Sequence, residues 1–250
     1  MKVKIKYIAY ISSIIFLLLV WQGAAYFINS DLILPSPGRT LRTAFLLILS
    51  GGFWLSFLLS LVRILSAFFI SAIAGFLLGW LTSKSAFLRY FFEPFLIILR
   101  VCPVVALILI ALFWFKSSFV PVIIAVLITL PLMITNVAKG FMKLNNEYNE
   151  LALVYKLSPL KTFFLIKLPQ VKSYLYSALD SIFGLSWKAV IAGEVLCLPK
   201  NALGSYIQKQ SLHLESANVI AATLLLILFC FLIQKFVHFL FSCKENHNQL

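Results

Sequence analysis

Six long apolar stretches limit what this chain can fold into. They run over approximately 7–28, 57–81, 93–115, 119–138, 174–198 and 217–240. A helix of about 20 apolar residues crosses the hydrocarbon core of a bilayer. Of the 250 residues, 62% are hydrophobic and 12% are charged. The sequence therefore predicts one all-α membrane domain over residues 1–250, with six transmembrane helices.

The basic residues lie mainly in the short segments between these stretches, and the formal net charge is +13. In a soluble chain this charge would suggest nucleic-acid binding, but Lys and Arg beside membrane spans more often set orientation. With the amino terminus inside, thirteen of them are cytoplasmic: Lys2, Lys4, Lys6, Lys84, Arg89, Lys139, Lys143, Lys156, Lys161, Lys167, Lys172, Lys235 and Lys244. Six are outside: Arg39, Arg42, Arg63, Lys116, Lys200 and Lys209. The bias predicts a multi-pass membrane protein with both termini cytoplasmic, and no nucleic-acid partner.

The first apolar stretch, from Tyr7 to about Ile28, has two interpretations. It is long enough to remain as a span. A cleaved signal peptide is the alternative, because Gly23-Ala24-Ala25 is small enough to be cut. Cleavage would leave the remaining topology unchanged. Beyond the turn-rich segment Leu34-Pro35-Ser36-Pro37, residues 39–50 are expected to form an interfacial helix.

The second stretch carries a stripe of small residues. Ala67, Ser71, Gly75 and Gly79 recur every four residues, so they lie close to one face of a helix. Small side chains let the backbone of another helix approach closely, and such stripes pack helices far more often than they bind ligands. We expect a helix-packing role. In the third stretch, Pro103 is expected to kink the span, because proline removes a backbone hydrogen bond.

The fifth stretch holds a possible pathway lining. Asp180, Trp187 and Glu194 recur at seven-residue steps, which drift by only about 20° each on a helix, so they share a face. Ionisable groups inside a membrane normally face a cavity or partner helices, and the three residues are candidates for lining a solute pathway. In the alternative, both carboxylates reach the two interfaces and Trp187 packs.

A polar insert from Asn145 to Pro169 separates the fourth and fifth stretches, within a cytoplasmic loop of about 139–172. Apolar residues recur in it at three- and four-residue spacing, which predicts two short amphipathic helices. Ser158-Pro159 is expected to end the first helix and start the second. Pro169 is expected to close the unit.

The insert resembles the cytoplasmic "EAA" loop of permease subunits of binding-protein-dependent ABC importers. The match consists of Glu150, Ala152, Ile166, Leu168 and Pro169, which lie at that loop's spacing. Other segments are similar to the sulfonate, taurine and nitrate branch of the family: the Leu-Pro-Ser-Pro turn, Arg100 with Pro103, residues 186–194, and residues 202–204. In this family the loop forms coupling helices that dock into a groove of the ATPase.

Two positions of the insert depart from the family pattern. Leu151 replaces the first alanine, and Lys156 stands where the family has glycine. Glycine there supplies a left-handed helix end, in which a lysine is strained by about 1 kcal/mol. Either the turn has a different conformation in this chain, or the coupling between the loop and the ATPase is weakened. The resemblance implies that Glu150 bonds a basic residue of the ATPase and that Leu151, Ala152 and Phe163 fill its groove.

The resemblance also implies the partners and the solute class. We expect a homodimer in the lipid bilayer of the bacterial inner membrane, two separate ATPase subunits, and a periplasmic or lipid-anchored solute-binding protein. The chain has no phosphate-binding loop and no His or Cys pair at metal-ligand spacing, so ATP and Mg are expected on the ATPase alone. The branch transports sulfonates, taurine, nitrate and pyrimidine-type vitamin precursors. The candidate pathway residues do not indicate which of these solutes is transported.

Two other function classes remain open on the residues alone. An ion-coupled secondary transporter would use Asp180 and Glu194 as coupling sites, but the two halves of the sequence show no convincing internal repeat. A membrane scaffold without transport activity is the other alternative. Association with an ATPase would distinguish an importer subunit from both.

Overall fold

The computed structural model describes the backbone of residues 2–144 and 146–246, and the side chains of 8–144, 147–148, 150, 152 and 154–235. This part of the chain forms eleven α-helices and one π-helical turn. The helices are α1 (Lys2–Ile28), α2 (Pro37–Leu49), α3 (Gly51–Lys84), α4 (Ala86–Val101), α5 (Val104–Ala111), α6 (Val120–Met142), α7 (Asn146–Val154), α8 (Pro159–Thr162), α9 (Leu168–Cys197), α10 (Leu203–Leu212) and α11 (Ser216–Asn246). The π-helical turn, Phe163–Lys167, joins α8 to α9.

The all-α membrane architecture predicted from the sequence is confirmed, but the number of clear spans is smaller than six. Among the described residues, four segments are long and apolar enough to cross a membrane: Ile8–Ile28, Gly51–Lys84, Val120–Met142 and Ser216–Lys235. A fifth is added if α4 and α5 count as one span. The predicted fifth span, α9, is 30 residues long, but its charged and small polar side chains make it less apolar.

The predicted third span is a broken helix and not a kinked one. The axes of α4 and α5 differ by 99°, and the two helices are separated at Cys102 and Pro103, both of which have extended ψ angles. Pro103 has no N–H with which to continue the ladder of α4, and it disfavours helical geometry at Cys102. The expectation of a continuous span was therefore wrong at this point.

Helices α3, α6 and α9 form the centre of the bundle, and α2, α10 and α11 pack around one end of it. The small-residue face of α3 lies against α6. A Cβ atom added to Gly75 would come within 2.6 Å of Met133 Cβ, and one added to Gly79 within 2.7 Å of Val137 Cβ. Nearby, the hydroxyls of Ser71 and Thr129 are 2.6 Å apart and fully buried. The two helix backbones therefore approach at a distance that only small side chains allow.

The predicted interfacial helix corresponds to α2. Ser36 caps its first turn by accepting a hydrogen bond from the Arg39 backbone N–H at 3.3 Å. Thr40 and Ala44 are buried towards the bundle, whereas Leu41 and Phe45 are exposed on the opposite face. This two-sided burial fits a helix that rests on the bundle with an apolar side turned outwards.

Candidate functional site

The polar insert begins with α7, which ends in a left-handed turn. Lys156 has a φ of +50°, and the N–H of Leu157 donates to the carbonyl of Ala152 at 3.0 Å. A hydrogen bond that spans six residues around a left-handed residue defines the Schellman motif at a helix C-terminus, where glycine is the usual left-handed residue. The turn therefore keeps the geometry that glycine normally provides, although the residue is lysine.

The second half of the insert restarts at Ser158. Its hydroxyl accepts from the backbone N–H of Lys161 at 3.4 Å, and Pro159 occupies the first turn of α8. The prediction that Pro169 closes the unit was wrong. The π-helical turn passes without interruption into α9, and Pro169 lies in the first turn of α9.

Phe163 attaches the insert to the bundle. Its ring lies 6.0 Å from that of Trp80 in an edge-to-face arrangement and 6.1 Å from that of Phe141 in a stacked one. Lys84 places its Nζ 3.5 Å from the centre of the Trp80 ring. Ala152 is also buried. Of the three residues predicted to fill an ATPase groove, Phe163 contacts the bundle and Ala152 is buried in this structure.

Several other residues of the insert are exposed and apolar. Val154, Tyr155 and Leu160 are each more than 70% exposed, and Phe164 is 60% exposed. Glu150 is also exposed. The side chain of Leu151 lies outside the described residues. Several exposed apolar side chains in one short segment, with a carboxylate among them, are typical of a protein contact site.

A second cluster lies at the other end of α9, around a buried carboxylate. Glu194 is 0% exposed and pairs with Arg63 of α3, whose Nη1 lies 2.9 Å from Oε1. The hydroxyl of Ser60 is 2.8 Å from both carboxylate oxygens, and the N–H of Gly204 donates to Oε2 at 3.0 Å. A buried carboxylate is tolerated when its charge and its lone pairs are both satisfied. We call Ser60, Arg63, Glu194 and Gly204 the Glu194 cluster.

The Glu194 cluster binds the start of α10 to the bundle. The N–H of Leu203 donates to Ser60 Oγ at 2.9 Å, and Ser205 Oγ donates to the carbonyl of Pro199 at 2.8 Å. A Cβ atom on Gly204 would lie 2.5 Å from Glu194 Cβ, so the contact requires glycine at this position. Three helices are thus joined at one carboxylate.

The three residues of the predicted pathway stripe have different neighbours. Asp180 is exposed and accepts a hydrogen bond from Gln234 Nε2 of α11 at 2.9 Å. Trp187 is buried beside Phe183, and its Nε1 has no hydrogen-bond partner. Glu194 belongs to the cluster described above. The pathway role of the stripe stays a prediction, with Trp187 and Glu194 engaged inside the bundle.

Neither the insert nor the Glu194 cluster has the donor set of a metal site. Within the described part of the chain, no three His, Cys, Asp or Glu side chains come together in a metal-binding arrangement. The polar groups of the Glu194 cluster satisfy one another, and the insert presents mainly apolar side chains. The side chains of both sites therefore provide contacts between segments, through which movement can be transmitted.

Comparison with known proteins identifies the family. The sequence profile of the "Binding-protein-dependent transport system inner membrane component" family matches residues 71–241, which is more than half of the chain. The chain belongs to this family. Membership confirms the expected transporter subunit and places the chain among membrane components of transport systems and not among enzymes.

Curated relatives of the permease include two kinds of named importer. The nitrate import permease protein NrtB of Leptolyngbya laminosa is 35% identical over 58% of this chain and 52% of its own length. NrtB of Synechococcus elongatus is 28% identical over 76% of this chain and 72% of its own length. The bicarbonate transport system permease protein CmpB of the same species is 31% identical over 63% of this chain and 56% of its own length. The permease thus spans about half of the first of these relatives.

Sequence reasoning missed the cluster partners of Glu194 in this permease. The sequence only placed Arg63 among the outer cations, and it predicted no helix between the fifth and sixth stretches, where the structure has α10. A signal was available: Arg63 and Glu194 are opposite charges in two apolar helices, near the predicted outer end of each. Because an unpaired charge is energetically unfavourable in a membrane, an ion pair between these two residues was the more stable arrangement.

Proposed function

We propose that this permease is one membrane subunit of an ATP-driven importer for a small anion. The proposal rests mainly on the insert between α6 and α9. The insert packs against the bundle through apolar side chains and exposes other apolar side chains that a partner can contact. Family membership supplies the transport class. The proposed roles of the ATPase, the binding protein and the solute rest on the resemblance and on the named relatives.

In this proposal the insert transmits movement from a cytoplasmic ATPase. Glu150, Val154, Tyr155 and Leu160 contact the ATPase, because they are among the exposed residues of the insert. Phe163 holds the insert against α3 and α6, so a displacement of the insert is passed to these helices and is not absorbed by a loose loop. Ile166, Leu168 and Pro169 carry the movement into α9 through the continuous helix.

The proposed solute is a small oxyanion such as nitrate or bicarbonate. These are the solutes in the names of the relatives NrtB and CmpB. Cationic residues also outnumber acidic ones in this chain, with 21 Lys and Arg against 8 Asp and Glu. A separate solute-binding protein delivers the anion to the outer surface and sets much of the specificity.

We further propose that two copies of the chain form the pathway, with both termini in the cytoplasm. The excess of Lys and Arg on the insert side supports this orientation. Intact mass measurement of the complex counts the copies. One copy of this chain beside a different permease would reject the homodimer but not the importer.

The coupling proposal is tested on the complex isolated from its native membrane. A tagged chain should bring down an ATPase, and Glu150→Arg should remove most of that ATPase, because it reverses the charge at the contact. Glu215→Arg is the matched control, with the same charge change in the turn before α11. Full recovery of the ATPase with Glu150→Arg, or equal loss with both variants, would reject the insert as the contact.

The solute proposal is tested with the complex and its binding protein in proteoliposomes. Nitrate and bicarbonate should stimulate ATP hydrolysis and accumulate in the vesicles in an ATP-dependent manner. Taurine, an alkyl sulfonate and a pyrimidine should do so weakly or not at all. Stimulation by one of these alone would reject nitrate and bicarbonate as the solutes but leave the importer intact.

A further inference from the structure

A groove between α4 and α6 is rich in positive charge. It encloses about 390 Å³ and runs along α4 beside the second half of α6. Three cations line it, Arg89, Arg100 and Lys139, against one carboxylate, Glu93. Three residues with hydroxyl groups also line it: Thr82, Tyr90 and Thr135.

The cations of the groove have no acidic partner. In the described part of the chain, no carboxylate oxygen lies within 4.0 Å of Arg89, Arg100 or Lys139. Arg89 Nη1 lies 3.3 Å from the sulfur of Met142, and Arg100 Nη2 donates to the carbonyl of Pro131 at 3.2 Å. Neither contact neutralises a charge.

The cations lie at two ends of the groove. Arg89 and Arg100 are eleven residues apart, which is three helical turns and about 16 Å, so they lie on one face of α4. Arg89 contacts Met142, about one helical turn beyond Lys139, so these two cations share the end of the groove nearest the insert. Arg100 lies in the last turn of α4 beside Pro131, whose carbonyl accepts from one of its N–H groups.

The groove also has an apolar side that opens outwards. Leu96, Ile97 and Ile134 line it between the cations, and α4 has no buried residue at all. An occupant therefore meets cations and aliphatic side chains together. A phospholipid presents this combination of phosphate and acyl chain.

We propose that this groove binds the headgroup of an anionic phospholipid, with Arg89 and Lys139 around the phosphate and the acyl chains along the apolar side. Basic pockets between membrane helices on the cytoplasmic side are suited to such headgroups. The orientation proposed above puts the groove in the cytoplasmic leaflet. The site does not depend on which solute the permease carries.

Native mass spectrometry of the full chain tests the site, with phosphatidylglycerol and phosphatidylcholine of equal chain length as probes. The wild type should retain phosphatidylglycerol preferentially. Arg89→Gln/Lys139→Gln should weaken that retention by more than tenfold, since each cation near a membrane surface contributes about fivefold. Arg89→Lys/Lys139→Arg keeps both charges and should keep the preference.

The matched control is Lys84→Gln/Lys143→Gln. It removes two cations from the same side of the membrane that lie over the rings of Trp80 and Tyr174, outside the groove. The control should retain phosphatidylglycerol as the wild type does. Size-exclusion profiles of all variants check that each is folded.

Three results would overturn the proposal. One is equal retention of both lipids by the wild type, and another is equal loss in the groove variant and the control. The third uses inorganic phosphate as a competitor in phosphatidylcholine. Binding of phosphate at the groove without any binding of phosphatidylglycerol would assign the site to a free anion and not to a lipid.

Discussion

Arg63 and Glu194 are 131 positions apart in the chain, and their Nη1 and Oε1 atoms lie 2.9 Å apart. The carboxylate is fully buried, whereas the Arg63 side chain keeps 14% of its surface exposed. Arg63 also reaches the carbonyl of Lys200 at 3.4 Å through Nη2. The pair therefore connects α3, α9 and the approach to α10 near the end of the bundle opposite the insert.

Removing one member of this pair should destabilise the permease strongly. Breaking a buried ion pair leaves an uncompensated charge and costs about 3–5 kcal/mol, so Glu194→Met and Arg63→Met should each lower the unfolding temperature in detergent by several degrees. The double variant should be more stable than the sum of the two losses predicts. Arg42→Met, an exposed arginine of α2, is the control. Strict additivity of the two losses would contradict the pairing.

Enlarging a glycine of α3 should separate α3 from α6. A methyl group at Gly79 would meet Val137 Cβ at 2.7 Å and the Ile134 carbonyl at 2.8 Å, and overpacking of this kind costs about 1–3 kcal/mol. Gly184→Ala is a matched control, because a Cβ there meets nothing within 4 Å. Thermal unfolding should show a loss for Gly79→Ala and no loss, or a gain, for Gly184→Ala. Equal responses would contradict the close approach.

Replacing Lys156 separates the effect of its backbone from that of its side chain. Lys156→Gly should preserve or raise ATP hydrolysis by the complex, since glycine relieves about 1 kcal/mol of left-handed strain. Lys156→Ala removes the charged side chain but keeps a Cβ in the strained turn. If both variants lose hydrolysis to the same extent, the lysine side chain itself contacts the ATPase and the strain is irrelevant.

Truncating Phe163 should loosen the insert from the bundle. Phe163→Ala removes the ring contacts with Trp80 and Phe141, and loss of a packed phenylalanine costs about 3–5 kcal/mol. Proteolysis within the insert should become faster, and ATP hydrolysis should no longer respond to solute. Phe164→Ala changes the exposed neighbour and should leave proteolysis unchanged. Unchanged proteolysis in both variants would contradict the anchoring role.

Local chemistry made much of the insert predictable. Ser158-Pro159 gives a helix start by the rules for caps and first-turn proline, and the structure begins α8 there. The sequence also raised the question of how a lysine could occupy the glycine position, but it could not choose between a strained turn and a different one. The bond from Leu157 to the Ala152 carbonyl decides for the strained turn.

Contacts between distant segments were not predictable in the same way. The Glu194 cluster joins residues from α3, α9 and α10, and no periodicity within one helix reveals a partner 131 positions away. The inward position of Phe163 has the same origin, because Trp80 and Phe141 come from other helices. At Pro103 the sequence indicated a bend, but its size of 99° depends on how α5 packs against α6.

The left-handed turn at Lys156 has a consequence for how such loops are recognised. A sequence signature that requires glycine at this point describes the residue with the least backbone strain, and not the backbone conformation itself. Chains like this one would be passed over by such a signature, even though their backbone follows the same path. Dihedral angles, and not letters, are the safer criterion for this kind of hinge.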